Sequence, residues 1–217
     1  MPGAEIRILD VALRLEFSEW IPGKLSYTKI ASNCRLFMLR VGLLLSLLGL
    51  PLTGAAEDEI WLLVDTKALT LEVKKGDRTV EKMTNIAIGR NGAGFKAHRG
   101  DDITPLGLYR IGWINQKSAY YRFFGLSYPS VDNAVTALDQ GIIDYSTFDS
   151  IVSAHNNRRV PPQNTKLGGQ IGIHGLGSGN EQIHKTMNWT HGCIALTNHQ
   201  IDRLSRWIKK EIIVKVK

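Results

Sequence analysis

The sequence predicts a mostly β domain with a few short helices, one of them near the C-terminus. Short runs rich in Val, Ile, Leu and aromatic residues recur between turn residues, which is typical of strands. Stretches with the spacing of an amphipathic helix are few and short. The 217 residues contain no internal repeat and no low-complexity segment, so a solenoid or another repeat architecture is excluded.

The first half of the folded region is predicted to consist of strands. Four runs are apolar or alternate between apolar and polar residues, with turn residues near them: 60–64, 69–73, 79–88 and 108–111. The turn at 74–77 joins the second and third runs into a hairpin. A loop with four glycines spans 89–100, and a Thr-Pro-Leu-Gly turn at 104–107 leads into the fourth strand.

Residues 115–168 are predicted to be an insertion between strands that lies like a lid over a site. They contain an aromatic cluster at 120–124, two short helices at 132–138 and 145–156, and a polar loop at 158–169. We interpret the aromatic side chains as core rather than as a binding platform, because large aromatic residues are highly buried on average.

The C-terminal part begins with a short strand at 171–174, followed by a glycine loop at 175–179. Asn198 is predicted to cap a helix, because its side chain can accept a hydrogen bond from the first turn. An apolar stripe supports this helix: Ile201, Leu204 and Ile208. A strand at 212–216 ends the domain.

Residues 38–56 have the layout of a secretory signal peptide. Arg40 precedes an apolar run at 41–52, and small residues end at Ala56. A spanning helix needs about 20 apolar residues, so this run is too short for one. We expect export, cleavage near Ala56 and no membrane span in the mature protein; an uncleaved anchor is the alternative.

Residues 1–37 do not suit the start of an exported protein, because their charge is mixed and they show no clear period. We expect Met38 to be the true start and residues 1–37 to be a mis-called N-terminal extension. A cytoplasmic tail is the alternative. The folded domain is then predicted to span 57–217, a typical size for one domain.

The number and positions of the cysteines indicate a candidate functional segment around Cys193. The chain has two cysteines, Cys34 and Cys193, and cleavage near Ala56 would remove the first. A lone thiol in an oxidising compartment is a liability unless it is buried or useful. Cys193 follows a Thr-His-Gly sequence, and His174 lies 19 residues before it. A thiol and an imidazole that meet in space can form a nucleophile with its base.

Neither the charge pattern nor the histidine spacing indicates binding of nucleic acid or of a metal ion. The chain carries a formal charge of +7, and from Glu57 onward 21 Lys and Arg face 16 Asp and Glu. These residues are scattered, which argues against nucleic acid and suits an anionic envelope polymer or simple solubility. A zinc site of His174, His184, His191 and Cys193 fits no common spacing, so no metal or cofactor is expected. His184 and His199 are predicted to be solvated or capping residues.

The motifs together resemble the catalytic domain of the L,D-transpeptidases of the YkuD type. Four motifs occur in the family's order: Ile-Gly-Arg at 88–90, Thr-Pro-Leu-Gly at 104–107, Ile-His-Gly at 173–175 and Thr-His-Gly-Cys-Ile at 190–194. Asn198 with Asp202 also fits. The resemblance covers about residues 60–217 and implies a β-sandwich or barrel-like fold. Family members are bacterial envelope enzymes, so it also implies the periplasm.

The resemblance implies a role for five residues. Cys193 would be the nucleophile, and His174 would take its proton or hold a thiolate–imidazolium pair that lowers the thiol pKa. The carbonyl of Gly175 would orient the imidazole. Backbone N–H groups around His191, Gly192 and Cys193 would stabilise the oxyanion. The implied substrate is a peptidoglycan tetrapeptide stem, cleaved between diaminopimelate and D-alanine through a thioester acyl-enzyme.

One position departs from the family pattern and leaves the acyl acceptor open. Many members have Arg or Asn two residues after the cysteine, where this chain has Ala195. With Trp189 ahead, the motif resembles Gram-negative periplasmic members, some of which cleave the link between peptidoglycan and an attached lipoprotein. We expect an L,D-transpeptidase. The alternatives are a hydrolase of the same class, either an amidase or an L,D-carboxypeptidase, and a non-catalytic wall-binding module.

Overall fold

The structure, a computed structural model, describes residues 59–217. The predicted extension at 1–37 and the predicted signal peptide at 38–56 lie outside these residues. Across 59–217, no helix combines the length and the apolar character that a membrane crossing requires.

Within the described residues the chain forms ten strands and four helices. The strands are β1 (Ile60–Asp65), β2 (Thr70–Lys75), β3 (Arg78–Thr84), β4 (Ala93–Gly94), β5 (Thr104–Pro105), β6 (Gly107–Ser118), β7 (Tyr121–Leu126), β8 (Gly172–His174), β9 (Ile194–Ala195) and β10 (Ile213–Val216). The helices are α1 (Val131–Asp139), α2 (Tyr145–Asn156), α3 (Glu181–Thr186) and α4 (Asn198–Ser205). The predicted mostly β class is confirmed.

Eight of these strands form one sheet in the order β3-β2-β1-β10-β6-β7-β8-β9. The β1–β10 and β8–β9 pairs are parallel, and the other neighbours are antiparallel. The segment that follows β3, at one edge of the sheet, forms β-bridges with the opposite edge: Ala87 pairs with Ala195, and Gly89 pairs with Thr190. The sheet is therefore curled enough for one continuous segment to join its two edges, as in a barrel-like fold.

The core forms where the strands alternate their side chains. Leu62 and Val64 of β1 face inward together with Val214 of β10, and all three are fully buried. Burying apolar side chains of this size contributes roughly 1.5–3 kcal/mol each. The last helix adds Ile201 and Leu204 to the same cluster, so the C-terminal segment is fixed against the sheet that carries the site.

Several boundaries differ from the sequence prediction. The third strand ends at Thr84 instead of 88, because Asn85 takes a left-handed conformation (φ 55°) and turns the chain toward β9. β6 runs for 12 residues and pairs with β7 in a long hairpin. The first part of the segment 115–168 is thus sheet, whereas both predicted helices occur in its second part, at α1 and α2.

The C-terminal helix has a different cap from the predicted one. Thr197 is the N-cap, and its hydroxyl accepts the backbone N–H of Gln200 in a capping box. Asn198 is already the first helical residue. Ile208 lies beyond the end of α4, although it still packs against the core.

The segment 104–107, predicted as a turn, forms β5 and the start of β6 and is held by a buried hydroxyl. Thr104 is fully buried, and its Oγ1 accepts the backbone N–H of Gly89 at 2.8 Å. The preceding carbonyl, that of Ile103, lies against Gly192. The buried hydrogen bond connects the Ile-Gly-Arg segment to residues 104–107, and the Ile103 carbonyl packs this segment against the loop before Cys193.

Replacing Thr104 with Val should lower the free energy of unfolding by about 1–3 kcal/mol, because the shape is kept while the buried Gly89 N–H loses its acceptor. Chemical denaturation measures the change. The exposed strand residue Thr84 provides the matched control, Thr84→Val, with little expected effect. Equal stability of the two variants would contradict this role for Thr104.

Candidate active site

The pairing of β8 with β9 places His174 and Cys193 on one face of the sheet. Ile173 pairs with Ile194, and His174 pairs with Ala195. Paired residues direct their side chains to the same face, and residues two apart share a face. Cys193, two residues before Ala195, therefore lies diagonally across from His174, on the same side.

The His174 imidazole is buried and held in one tautomer. Its Nδ1 lies 2.7 Å from the Gly175 carbonyl oxygen, which can only accept, so Nδ1 carries the proton and donates it. Nε2 is left with a free lone pair and can act as a base. The structure thus contains the hydrogen bond through which the Gly175 carbonyl is expected to orient the imidazole.

Three aromatic side chains enclose this imidazole. The ring of Tyr120 has its centroid 4.5 Å away, Phe123 stacks at 6.0 Å, and Trp189 meets the ring edge-on at 5.8 Å. Burial lowers the pKa of His174, against the Gly175 hydrogen bond that raises it. The neutral form of the imidazole is therefore favoured at pH 7. Of the predicted core aromatics, Phe124 is fully buried, whereas Tyr120 is 46% exposed and covers the site.

Asn198 holds the loop that follows His174. Its Oδ1 accepts the backbone N–H groups of Leu176 and Gly177 at 2.9 and 3.0 Å, and its Nδ2 donates to the Gly177 carbonyl at 2.8 Å. The first residue of α4 thus fixes the turn that carries the Gly175 carbonyl. The sequence showed a polar residue suited to a cap, and nothing in its local pattern indicated this contact across 21 and 22 positions.

His184 is buried, so the prediction of a solvated or capping residue is wrong. It is 3% exposed, and its Nδ1 accepts the indole N–H of Trp189 at 3.3 Å. Burial lowers its pKa, so it stays neutral and keeps the lone pair that this bond needs. His184 therefore positions the indole that faces His174. His199, in contrast, is exposed.

The Cys193 thiol lies against a backbone carbonyl. Sγ is 3.4 Å from the Gln170 oxygen and donates its proton there. Among the described residues, no hydrogen bond joins Sγ to the imidazole. Burial raises the pKa of Cys193 to about 11, although the Gly172 backbone and the charge of Lys96 offset part of the effect. Both shifts favour a neutral thiol beside a neutral imidazole, not the alternative thiolate–imidazolium pair.

The positive charge that lowers the thiol pKa, that of Lys96, belongs to a buried ion pair. Lys96 is 2% exposed, and its Nζ lies 2.5 Å from Asp101 Oδ1. Burial opposes ionisation of Asp101, but hydrogen bonds from Lys96, Ile103 and His98 keep its pKa below the usual value. Because Asp101 neutralises Lys96 at contact distance, the field of Lys96 at Cys193 is reduced.

The glycine before the cysteine is required by the backbone. Gly192 has φ +121°, and a Cβ there would lie 2.6 Å from the Ile103 carbonyl oxygen. Its N–H donates to Thr190 Oγ1 at 3.1 Å, and that hydroxyl donates to the Cys193 carbonyl at 2.7 Å. The Gly192 amide is thus engaged, whereas the Cys193 amide has no acceptor within 59–217. Of these two, the Cys193 amide is available to an oxyanion.

His191 lies at the surface, two residues before Cys193 in the sequence. Its side chain is 72% exposed, and Nδ1 is 2.6 Å from Asp102 Oδ1. Arg90 lies 3.6 Å from the other carboxylate oxygen and donates to the Trp189 carbonyl. His191 is therefore held at the edge of the site by Asp102, outside the enclosed space around His174.

Ala195 is enclosed by the sheet. It is fully buried, pairs with His174, and exchanges backbone hydrogen bonds with Ala87 at 2.8 and 3.0 Å. The position carries no polar group that could meet an acyl acceptor. Over the described part of the chain, no cluster of three or more His, Cys, Asp or Glu could hold a metal ion.

The pKa of Cys193 predicts how its reactivity depends on pH. Because the folded thiol is protonated below about pH 11, its alkylation by iodoacetamide should rise about tenfold per pH unit from pH 7 to 10. A Cys34→Ser background confines the reaction to Cys193, and mass spectrometry gives the rate. A plateau below pH 8 would instead indicate a thiolate–imidazolium pair.

Removing the Tyr120 ring should raise the pKa of His174 toward its ordinary value, because water then reaches a ring whose pKa burial had lowered. NMR titration of the His174 ring protons in Tyr120→Ala measures the shift. Tyr145→Ala is the control, since Tyr145 is 69% exposed and contacts Phe148. An unchanged titration in Tyr120→Ala would show that the tyrosine does not shield the base.

Comparison with solved structures places the fold among known ones. Two crystal structures of the helical cell shape determining protein Pgp2 from Campylobacter jejuni, the protein and a point variant, match at 24% identity with TM-scores of 0.52 and 0.50. Bd1075 of Bdellovibrio bacteriovorus matches at 18% identity with a TM-score of 0.48. Each alignment covers 76% of this chain, which spans 49% of Pgp2 and 50% of Bd1075.

At 24% identity the likeness to Pgp2 shows the fold alone. No curated protein sequence matches the chain. The sequence model of the L,D-transpeptidase catalytic domain, YkuD, matches residues 59–216. This match covers nearly all of the described residues, including every motif on which the resemblance was based. The chain therefore belongs to the YkuD family of L,D-transpeptidase catalytic domains.

Proposed function

We propose that the protein is a cysteine-dependent L,D-transpeptidase that acts on peptidoglycan tetrapeptide stems, in cell-wall crosslinking or remodelling. The observation that carries the proposal is the placement of Cys193 and His174 on one face by the β8–β9 pairing. The tautomer of His174 supports it, because Nε2 is free to accept a proton. Family membership supports the substrate class.

In the acylation step, His174 Nε2 takes the thiol proton as Sγ attacks the diaminopimelate carbonyl carbon. The carbonyl oxygen becomes an oxyanion, which the Cys193 backbone N–H stabilises. The imidazolium then returns the proton to the leaving amine, D-alanine departs, and a thioester remains. Starting from a neutral thiol and imidazole, the step conserves charge. A single well-placed oxyanion donor commonly contributes about 10²–10³ in rate.

In the second step an acceptor attacks the thioester carbonyl carbon, and His174 takes its proton. The C–S bond then breaks, and the imidazolium returns the proton to Cys193 Sγ. An amine yields a crosslink or an attached lipoprotein, whereas water yields a hydrolysed stem. Hydrolysis remains a second candidate, because the buried Ala195 offers no polar side chain to orient an amine. From the signal-like segment at 38–56 we also propose that the reaction takes place in the periplasm.

Purified protein incubated with tetrapeptide muropeptides should form an acyl-enzyme and release D-alanine, as read by mass spectrometry. Cys193→Ala should abolish both, because the nucleophile is lost, whereas Cys34→Ser should retain both. Crosslinked products indicate transpeptidation and tripeptides indicate hydrolysis. Lipoprotein-linked muropeptides in a parallel reaction test for amidase activity.

Turnover that survives in Cys193→Ala would overturn the mechanism. Binding of muropeptides without any adduct or product in the parent protein would instead support a non-catalytic wall-binding module. A carbapenem adduct at Cys193 provides an independent measure of whether the thiol can be acylated.

A further inference from the structure

The Cys193 thiol is connected to the insertion by a backbone contact that the proposed mechanism does not use. Its hydrogen-bond acceptor is the carbonyl of Gln170, at 3.4 Å. Gln170 lies between the polar loop and β8, two residues before the strand begins. The S–H group is therefore hydrogen-bonded at the end of the insertion and, among the described residues, not to the imidazole of His174.

Gln170 holds an uncommon backbone conformation. Its φ is +58°, a left-handed value that a residue other than glycine adopts mainly where its surroundings enforce it. Its N–H donates to Gln163 Oε1 at 2.7 Å. The backbone at Gly169 also passes very close to Gln163: a Cβ on Gly169 would lie 2.1 Å from the Gln163 carbonyl oxygen.

Gln163 is itself fixed to the insertion. Its Nε2 donates to the Tyr128 carbonyl at 2.7 Å and to the Pro161 carbonyl at 2.9 Å. Tyr128 is fully buried, and its hydroxyl donates to the carbonyl of the equally buried Leu167 at 3.0 Å. Both amide hydrogens and the oxygen of Gln163 are thus in use, and they connect a buried tyrosine to Gln170.

We propose that Gln163 is a positioning residue: it holds the Gln170 carbonyl against Cys193 Sγ and so keeps the thiol away from His174 until a peptide substrate binds. The proposal rests on the proposed role of Cys193 as the nucleophile. A carbonyl that accepts S–H favours the protonated thiol. A backbone N–H of a bound stem peptide has the chemistry to take over this carbonyl, and the freed thiol can then turn toward His174 Nε2.

The test measures the state of the thiol, not turnover. In the Cys34→Ser background, the iodoacetamide rate is followed against pH. Gln163→Met keeps a side chain of similar length but removes the three hydrogen bonds of the Gln163 amide. Without them the Gln170 carbonyl is no longer held against Sγ. The alkylation rate at pH 8 should rise about fivefold, since one modest hydrogen bond to the thiol is lost. Gln163→Glu keeps the acceptor for the Gln170 N–H and should stay close to the parent.

Two further variants serve as matched controls. Gln170→Ala keeps the backbone carbonyl, so its pH profile should be unchanged. Gln140→Met alters an exposed glutamine of the same insertion and should also be unchanged. A parent-like rate in folded Gln163→Met overturns the proposal. So does Gln163→Glu if it behaves like Gln163→Met, because the loop anchor and not the Gln170 contact would then matter.

Hydrogen–deuterium exchange of the unaltered protein gives a test that needs no variant to fold. The Gln170 amide should exchange slowly, because it donates to Gln163, and exchange at the unprotected rate overturns the proposal. Failure of the proposed function is seen separately: an altered alkylation profile with no acylation by stem peptides would overturn that function, not the positioning of the thiol.

Discussion

The parallel pairing of β8 with β9 is the interaction on which the site depends. Only two residue pairs define it, Ile173 with Ile194 and His174 with Ala195. A slip of one residue would turn Cys193 to the opposite face, because side chains alternate along a strand. The complete burial of Ile173 and Ile194 opposes such a slip. These two apolar side chains in the core therefore fix the position of Cys193 relative to His174.

Burial then sets the resting state of that chemistry. The imidazole and the thiol each have a pKa shifted toward the neutral form, and desolvation is the larger cause in both. A proton transfer between them before a substrate binds would create two charges where neither is well solvated. In the proposed mechanism, the negative charge passes during attack to the substrate oxygen beside the Cys193 amide. Charge separation is thus favoured when the substrate supplies a place for it.

The local sequence pattern predicted much of the fold and indicated Cys193 and His174, the two residues on which the proposed mechanism rests. The helix α2 occurs at its predicted bounds because Asp144 caps it and its apolar residues are regularly spaced. α3 was missed, since six mostly polar residues give no stripe. The arrangement around His174 and Cys193 depends on long-range contacts. Asn198 looks like a cap yet holds a distant loop, and Gln170 contributes a carbonyl that every residue type has.

The raised pKa of the thiol has a consequence for the lifetime of the protein. Oxidants and disulfides react with the thiolate, and a thiol that stays protonated is oxidised slowly. Desolvation is the main cause of that shift, whereas the Cys193 residue itself is only half-buried, so the protection comes from the protonated state of the sulfur and not from its enclosure. A neutral resting thiol is thus oxidised more slowly than a thiolate at the same place would be.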